Sequence, residues 1–508
     1  MQSRPPGALT IRSSRQTYGL VVTVVVAILV TGLLIPFVFG DPASTIIASG
    51  GPGLPGTPAG SSGGEIPSAT TAPGGATPAT SPQGGPATTG TAAASPTNTP
   101  PGGPGPANGG PLTASDVGVT ESTITVGVVL LDLDAVAPLG LGLDNFSVET
   151  QRDVFQAYID DINARGGING RQVVAAYVRN DPLDAGAARA RCVELAQDHE
   201  VFAVLGFITD EVSCLVQEQR RPSLGYTNYP RAAYEQSGQF LVTGQPSSER
   251  VAANWAGALE DLGALQGHTI GIVAHDDPED GSAADSLQST LEQLGHEVTY
   301  RSRLSMNADT AVSQIPIEVQ RMRQAGVDLV LLPTNFYTAR TWVENAASQG
   351  WTPEYSVSEI GQLTSDALVE NMPEAFDGSI AIVNATGGLG QRSVRAGEPE
   401  RPENRTCREL YNSASDGHDF EYGEENPIGS ACPIVQIFER AAVAAGPNLT
   451  RDGFVAAIQS LGAFALPTFP GGHFAPGKTD YNDTIQPIRW TASCRCYDVA
   501  GPLMPGRY

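Results

Sequence analysis

The sequence predicts an α/β protein whose globular part forms two doubly wound, Rossmann-like lobes, preceded by a transmembrane helix and a disordered linker. A strand–helix–strand unit at residues 124–178 predicts parallel strands, because parallel neighbours need a crossover between them. Strands and helices then alternate in two successive series, which predicts two parallel sheets covered by helices. An uncharged apolar run and a Gly/Pro-rich segment come before the first unit and predict the helix and the linker.

Residues 20–39 form the apolar run, which is long enough to cross a bilayer, since about twenty residues at ~1.5 Å each span ~30 Å. Residues 1–19 contain arginines but no acidic residue, which predicts a cytoplasmic N-terminus. A cleaved signal peptide is the alternative, but its apolar region is usually about 7–15 residues long and ends in an Ala-x-Ala-like site. Val38-Phe39-Gly40 fits such a site poorly. We therefore favour a single-pass membrane anchor with an extracytoplasmic C-terminal domain.

Residues 40–117 consist mainly of Gly, Pro, Ala, Ser and Thr. This composition buries too little apolar surface to offset the entropy lost on ordering, so we predict a disordered tether. The net charge of −25 belongs to the extracytoplasmic part, since residues 1–40 are positive. That charge argues against nucleic acid and anionic lipid headgroups as partners of the globular part.

The first strand–helix–strand unit is defined by its helix and by the turns that follow. Five apolar residues lie at helical spacing and predict one buried stripe: Val154, Phe155, Tyr158, Ile159 and Ile162. Gly166-Gly167 ends the helix, where positive φ is needed, and Asn169-Gly170 turns the chain into the next strand.

The first series continues with a helix and a strand, at residues 187–197 and 201–206. The second series begins near Gly244 and alternates strands at 269–274, 297–300, 327–332 and 355–357 with helices at 283–294, 312–324 and 339–349. The remaining chain starts no third series: it contains a strand-like run at 379–383 and helices at 433–445 and 451–461.

Residues 162–171 read INARGGINGR and follow the strand that begins Ile-Thr-Val-Gly-Val-Val at residue 124. This combination resembles the ligand-binding proteins of branched-chain amino-acid ABC transporters, Leu/Ile/Val-binding-protein-like members of the type I periplasmic binding protein family. The resemblance extends from about Gly118 to the C-terminus.

The resemblance implies a hinge and an interlobe cleft, because the chain of such proteins crosses three times between the lobes. Lobe 1 would contain residues 118–243 and 377–465, and lobe 2 residues 244–376 and 466–508. A small-molecule ligand, an amino acid or a related polar solute, would bind in the cleft and be delivered to ABC permease subunits. Neither an enzymatic reaction nor a cofactor is implied.

Two loops after strands contain residues suited to an amino-acid ligand. Tyr226, Thr227 and Asn228 correspond to the loop that binds the ligand carboxylate in the resembling family. Tyr226 and Asn228 replace the small and hydroxyl residues usual there, which puts carboxylate binding of that kind in doubt. Phe336 and Tyr337 lie where the family has an aromatic wall.

Acidic residues follow two further strands. Glu359 lies where the family has the carboxylate that receives the ligand ammonium; the alternative is a solvated loop residue. Asp280 lies where relatives often present a tyrosine, and a carboxylate there favours a cationic or polyamine-like ligand. The alternative for the acidic loop that contains it is capping of the following helix.

The six cysteines of an exported protein predict disulfides, since their number is even. The preferred pairs are Cys192–Cys214, Cys407–Cys432 and Cys494–Cys496. A zinc site is the alternative, but neither the cysteine spacing nor nearby histidines favour it.

Residues 472–479 match the phosphate-binding pattern G-x-x-x-x-G-K-[ST]. Two prolines break the preceding segment and a poor helix start follows, so we interpret the match as fortuitous and Lys478 as a surface lysine that contributes little to stability. The six histidines lack metal-ligand spacing and no Ser–His–Asp set stands out, which makes an exported enzyme the less favoured alternative. A sensor module of the same fold remains the other alternative.

Overall fold

The computed structural model describes residues 112–133, 144–182, 184–384 and 390–507. The expected cytoplasmic segment, the membrane anchor and residues 40–111 of the expected linker lie outside these ranges.

Two sheets form the cores of two lobes. The first is entirely parallel, with the order β2-β1-β3-β4-β5. Its strands are β1 Thr123–Leu131, β2 Gln172–Asn180, β3 Ala203–Gly206, β4 Ser223–Gly225 and β5 Leu241–Thr243.

The second sheet has eight strands in the order β12-β11-β10-β9-β8-β6-β7, with β13 paired to β11. They are β6 Ile270–His275, β7 Val298–Leu304, β8 Leu329–Leu331, β9 Glu354–Ser358, β10 Ile380–Val383, β11 Thr484–Thr491, β12 Cys496–Val499 and β13 Met504–Pro505. Strands β6–β10 are parallel, and β11 runs antiparallel to both of its neighbours in that order.

Helices connect the strands and cover the sheets. They are α1 Val148–Ala164, α2 Ala188–Val193, α3 Arg231–Gln236, α4 Ser248–Asp261, α5 Pro278–Gln293, α6 Ala308–Gln324, α7 Phe336–Ser348, α8 Asp366–Val369, α9 Gln391–Arg395, α10 Pro402–Ala414, α11 Ile428–Ala445 and α12 Arg451–Ser460. Short 3-10 turns lie at Asp144–Phe146, Ala185–Ala187, Ile360–Gln362 and Glu374–Phe376, and π-helical turns at Glu194–Asp198 and Cys214–Glu218.

Both sheets are buried on both faces, as the doubly wound prediction requires. In β1, Val128 belongs to the apolar core beneath α1 and α11, whereas Val129 belongs to the core on the opposite face. In β8, Val330 and Leu331 likewise enter different cores. Successive side chains of a strand point to opposite faces, so each strand contributes to two apolar layers. The predicted α/β fold with parallel-sheet lobes is confirmed.

The sequence motif at residues 162–171 connects the end of α1 to the start of β2 in the first lobe. Asn163 joins the end of α1 to β2, because its Oδ1 accepts from Val173 N at 2.7 Å and its Nδ2 donates to Val173 O at 2.9 Å. Gly167 has positive φ, and a side chain there would collide with the backbone of Arg171. The motif is therefore a structural junction of the fold.

Arg171 is fully buried and fastens three separate segments. Its Nε donates to Thr120 O at 2.6 Å, its Nη1 to Pro447 O at 2.8 Å and its Nη2 to Thr113 O at 2.9 Å. The guanidinium group is well suited to this role, because it is always charged and its N–H donors are fixed in one plane.

The chain is ordered against the lobe before the expected end of the linker at residue 117. Ser115 Oγ donates to Leu449 O at 2.6 Å, and Asp116 forms an ion pair with Arg451 at 3.0 Å. The expectation of disorder up to residue 117 is therefore wrong for its last residues.

Both expected lobe boundaries in the C-terminal half also shift. Residue 377 is not the return to lobe 1, since β10 pairs with β9 and β11 in the second sheet. Residue 466 is not the entry into lobe 2, since Leu466, Phe469 and Tyr481 are buried in the core of the first lobe. The periodicity of β10 identified a strand but carried no information about which sheet receives it.

One helix in the described ranges, α11, is long and apolar enough to cross a membrane. It is 61% buried within the protein and contributes Ile434, Val435 and Phe438 to the core of the first lobe. Its apolar surface is accounted for by packing against the sheet.

The structure brings the cysteines together in the three pairs that the sequence predicts: Cys192–Cys214, Cys407–Cys432 and Cys494–Cys496. The first pair has Cα atoms 6.2 Å apart and links the helical segments on either side of β3. The second links α10 to α11, and the third closes the turn between β11 and β12.

We expect Arg171→Met to lower the free energy of unfolding by about 2–4 kcal/mol, because three carbonyl groups lose their donor and each unsatisfied buried group costs about 1–3 kcal/mol. Urea denaturation measures this change. Arg165→Met is the matched control: this side chain is 49% exposed and pairs with Glu439, so we expect a loss below about 1 kcal/mol. Equal losses in the two variants would contradict the role assigned to Arg171.

Candidate functional site

A cavity of about 530 Å³ lies between the lobes, where strands of both sheets end. Phe207 follows β3 and Tyr226 follows β4 on the first lobe, and Glu359 follows β9 on the second. The carboxyl ends of parallel strands are the edges at which doubly wound proteins bind ligands. The cavity wall includes every predicted ligand-binding residue except Asp280, namely Tyr226, Thr227, Asn228, Phe336, Tyr337 and Glu359.

On the first lobe, Tyr226 packs edge-on against Phe207, with ring centres 6.0 Å apart. Burial raises the pKa of the Tyr226 hydroxyl, and the negative charge of Glu359 raises it further, so this group is neutral and can donate a hydrogen bond. Asn228 is held by the segment after β5, since its Nδ2 donates to Pro246 O at 2.9 Å.

On the second lobe, an aromatic pair begins α7. Asn335 caps this helix by accepting from Thr338 N at 3.0 Å, which sets the direction in which the first turn leaves β8. Phe336 is 3% exposed and belongs mainly to the lobe core, whereas Tyr337 is 44% exposed. Their rings are 5.5 Å apart, so Tyr337 forms the open part of the wall and Phe336 supports it.

Glu359 directly follows β9 and precedes a short 3-10 turn. Gly361 within that turn has positive φ and lies so close to Thr334 O that a Cβ would not fit. This contact joins the loops after β8 and β9, which brings Glu359 and the aromatic pair to one wall. Glu359 and Tyr226 of the opposite lobe line the same cavity.

Asp280 lies away from the cavity wall and is engaged inside the second lobe. Its Oδ2 is 2.6 Å from His275 Nδ1, and the same imidazole contacts Thr334 Oγ1 at 3.1 Å and Thr338 Oγ1 at 3.0 Å. Asp277 accepts from Asp280 N at 3.1 Å, which is a capping contact at the start of α5. The capping alternative therefore describes the acidic loop better than a cleft position does.

Two groups of side chains in the described ranges are close enough to hold a metal ion. One contains Cys494 and Cys496, whose sulfurs form a disulfide. The other contains His275, Asp277 and Asp280, where both nitrogens of the buried imidazole already have hydrogen-bond partners. Hydrogen bonding accounts for this second group without a metal.

Residues on the other sides of the cavity were not identified from the sequence. Arg392 on α9 and Asp366 on α8 line the cavity together with Glu425, whose Oε1 accepts from Ser365 Oγ at 3.1 Å. None of these residues directly follows a strand, so the pattern used to select candidates passed over them. Their only sequence signal is a charge in a loop or short helix.

The P-loop-like segment lies where the chain crosses towards lobe 2, and β11 rather than a helix follows it. Lys478 Nζ donates to His473 O at 2.8 Å, to Asp480 O at 2.5 Å and to Tyr481 O at 3.3 Å. It also pairs with Asp483 at 3.3 Å. The fortuitous-motif interpretation agrees with these contacts, but the expectation that Lys478 is an uninvolved surface lysine is wrong.

The sequence profile of the periplasmic binding protein family matches residues 123–489, from β1 to β11. The chain belongs to this family. The resemblance inferred from residues 162–171 is thereby confirmed.

Among curated proteins, the chain is 23% identical over 404 residues to "Leu/Ile/Val-binding protein homolog 8" of Brucella abortus, covering 75% of this chain and 93% of the relative. Among solved structures, it resembles the fatty acid ABC transporter substrate-binding protein from Thermomonospora curvata (TM-score 0.58, 19% identity, 78% and 95% of the two chains). It also resembles an ABC transporter solute-binding protein from R. palustris in complex with 4-hydroxybenzoate (TM-score 0.58, 14% identity, 76% and 98%).

These relatives are solute-binding proteins and not enzymes, and the structural likenesses establish the fold. Membership of this family implies that the globular part of this protein lies outside the cytoplasm and binds a solute for an ABC transporter.

We expect Lys478→Met to lower the free energy of unfolding by about 2 kcal/mol, because hydrogen bonds from a charged group each contribute about 1.5–3 kcal/mol and the side chain is only 21% exposed. Thermal and urea unfolding measure the change. Arg340→Met is the control, since Arg340 is 41% exposed and pairs with Glu344 of the same helix. A loss below about 0.5 kcal/mol in Lys478→Met would restore the surface-lysine interpretation.

Proposed function

We propose that the protein captures an amino acid or a related small polar solute in the interlobe cavity and presents it to an ABC importer. The observation that carries this proposal is the meeting of Tyr226 and Glu359, from opposite lobes, at one cavity of about 530 Å³. Ligand cavities commonly measure about 300–1,000 Å³, so this volume suits a small solute.

The chemistry of the wall supports a ligand with both polar and apolar parts. Leu131, Phe207 and Tyr337 offer apolar and aromatic contacts, whereas Thr227 and Glu359 offer a hydroxyl and a carboxylate. An amino acid needs an acidic acceptor for its ammonium and apolar contacts for its side chain. We propose that Glu359 is that acceptor.

The ligands named for the relatives favour the same general class. The Brucella relative is named for Leu/Ile/Val, the Thermomonospora curvata protein for a fatty acid, and the R. palustris protein is in complex with 4-hydroxybenzoate. All of these compounds carry a carboxylate. For this chain, a small organic acid or amino acid is accordingly the proposed ligand class.

We further propose that residues 20–39 anchor the protein in the membrane and that residues 40–111 form the tether. The apolar run is long enough to span, and the first cysteine of the chain is Cys192, so lipid attachment at a cysteine just after the run is excluded. A tethered solute-binding protein remains near its permease, which raises its local concentration there.

Glu359→Gln tests the proposed ammonium contact. Removal of a buried, charge-assisted contact typically costs about 2–5 kcal/mol, which is roughly 30-fold to several-thousand-fold in affinity. We expect this weakening for L-leucine or whichever amino acid binds best, with an unchanged unfolding temperature, measured by calorimetry. Glu354→Gln, an exposed position at the other end of β9, is the control and should bind normally. A change below threefold in Glu359→Gln would identify Glu359 as a solvated loop residue.

The anchor is tested on protein from its native cells. We expect it to fractionate with membranes and to begin at or near Met1, because an uncleaved apolar helix remains in the bilayer. Membrane fractionation and N-terminal sequencing measure this. Secreted protein that begins close to Asp41 would establish the signal-peptide alternative.

A further inference from the structure

Arg392 is a buried cation at the cavity without a carboxylate partner in the described part of the chain. Its side chain lines the cavity although the residue is only 7% exposed. Nη1 donates to Thr364 O at 3.1 Å, and buried Nε has no hydrogen-bond partner. No ion pair within 4.0 Å involves this guanidinium among residues 112–133, 144–182, 184–384 and 390–507.

Two other buried arginines, Arg171 and Arg221, also lack an ion pair within 4.0 Å among the described residues, but neither of them lines the cavity. Burial of a charge is unfavourable unless a counter-ion and hydrogen bonds replace the lost water, so buried arginines are normally paired. Arg191 illustrates the normal case in the same protein, because it is buried and lies 3.1 Å from Glu211. Arg392 therefore has unused capacity for an anion at the cavity wall.

Acidic residues surround the same cavity but do not pair with Arg392. Glu359, Asp366 and Glu425 all line the wall. Arg392 lowers the pKa of Tyr226, whereas Glu359 and Glu425 raise it, so charges of both signs act on one hydroxyl. A wall that contains both a guanidinium and carboxylates is complementary to a dipolar solute.

We propose that Arg392 is the counter-ion for the carboxylate of the ligand and so makes the site selective for carboxylate-bearing solutes. This inference rests on the proposed binding function and deepens it. A guanidinium presents parallel N–H groups that match the two oxygens of a carboxylate, and such bonds are shorter and stronger than neutral ones. Nη1 already donates to Thr364 O and Nε is enclosed by protein, so Nη2 is the donor that this proposal assigns to the ligand.

The loop after β4 is less suited to hold the carboxylate by itself. Tyr226 is bulky where the resembling proteins have small residues. The side-chain amide of Asn228 already donates a hydrogen bond to Pro246 O. Arg392 supplies from the opposite lobe the strong donor that this loop lacks. A contact of this kind also links ligand binding to both lobes.

A purely structural role for Arg392 is separable, because the neighbouring Arg395 already fastens the short helix. Arg395 Nε pairs with Asp498 at 2.9 Å, and its Nη2 donates to Tyr497 O. Arg395 does not line the cavity, so Arg395→Gln is a matched control on the same helix.

The experiment compares ligand chemistries in the full-length chain purified in detergent. The probes are L-leucine with L-leucinamide and 3-methylbutylamine, and 4-hydroxybenzoate with 4-hydroxybenzamide, all measured by thermal shift and calorimetry. We expect the unmodified protein to prefer each carboxylate over its amide, and Arg392→Gln to weaken the carboxylate by about 30-fold or more and to remove that preference. Arg392→Lys should retain a reduced preference, since it keeps the charge but not the planar donor pair. Arg395→Gln should bind as the unmodified protein does.

Four outcomes count against the inference. Equal weakening of carboxylate and amide in Arg392→Gln would assign Arg392 a structural role, and an undiminished carboxylate preference would assign the carboxylate to another donor; the proposed binding function stands in both cases. If the unmodified protein binds the amine or the amides but neither carboxylate, the site is not selective for carboxylates. The proposed solute-binding function stands in that case too. Absence of binding by every probe in the unmodified protein would count against the proposed function and this inference together.

Discussion

The two lobes depend on main-chain pairing between two of the segments that cross from one to the other. Thr243 N donates to Thr479 O, Tyr481 N donates to Thr243 O, and Asn482 N donates to Gly244 O, each at 3.0 Å. Arg250 on α4 reinforces this pairing through Asp480 at 2.5 Å. Because backbone hydrogen bonds define direction as well as distance, this junction holds the carboxyl edges of the two sheets opposite each other. The cavity lies between these two edges.

The charges of the cavity have a different energetic character from those of the junction. At the junction, Arg250 and Lys478 lie against carboxylates, and these opposite charges help to lower the pKa of Asp483 although burial alone would raise it. At the cavity, Arg392 has no such partner in the described ranges. A satisfied network stabilises one arrangement, whereas an unsatisfied group in a cavity leaves free energy available for a ligand.

The errors of the sequence-based prediction share one physical cause. Local pattern identified β10 and the later helices α11 and α12, but which sheet β10 joins depends on its pairing with β9 and with the distant β11, so its sheet was assigned wrongly. The short strands β4 and β5 and the antiparallel pair β11–β12 escaped prediction because their pairing, rather than their length or periodicity, makes them strands. Asp280 and Lys478 were misjudged because their partners come from the surrounding fold.

The sequence by itself determined the α/β class, the two lobes and the family, because helical spacing, glycine turns and a local motif such as residues 162–171 are properties of neighbouring residues. It favoured the three cysteine pairs, and the structure brought those pairs together. The sequence also selected Tyr226 and Glu359, because both correspond to ligand-binding positions of the resembling family. Only the tertiary structure decided which lobe receives β10, and only it brought Arg392 to the cavity. Burial and the absence of a counter-ion are properties of a packed three-dimensional environment, which no local pattern encodes.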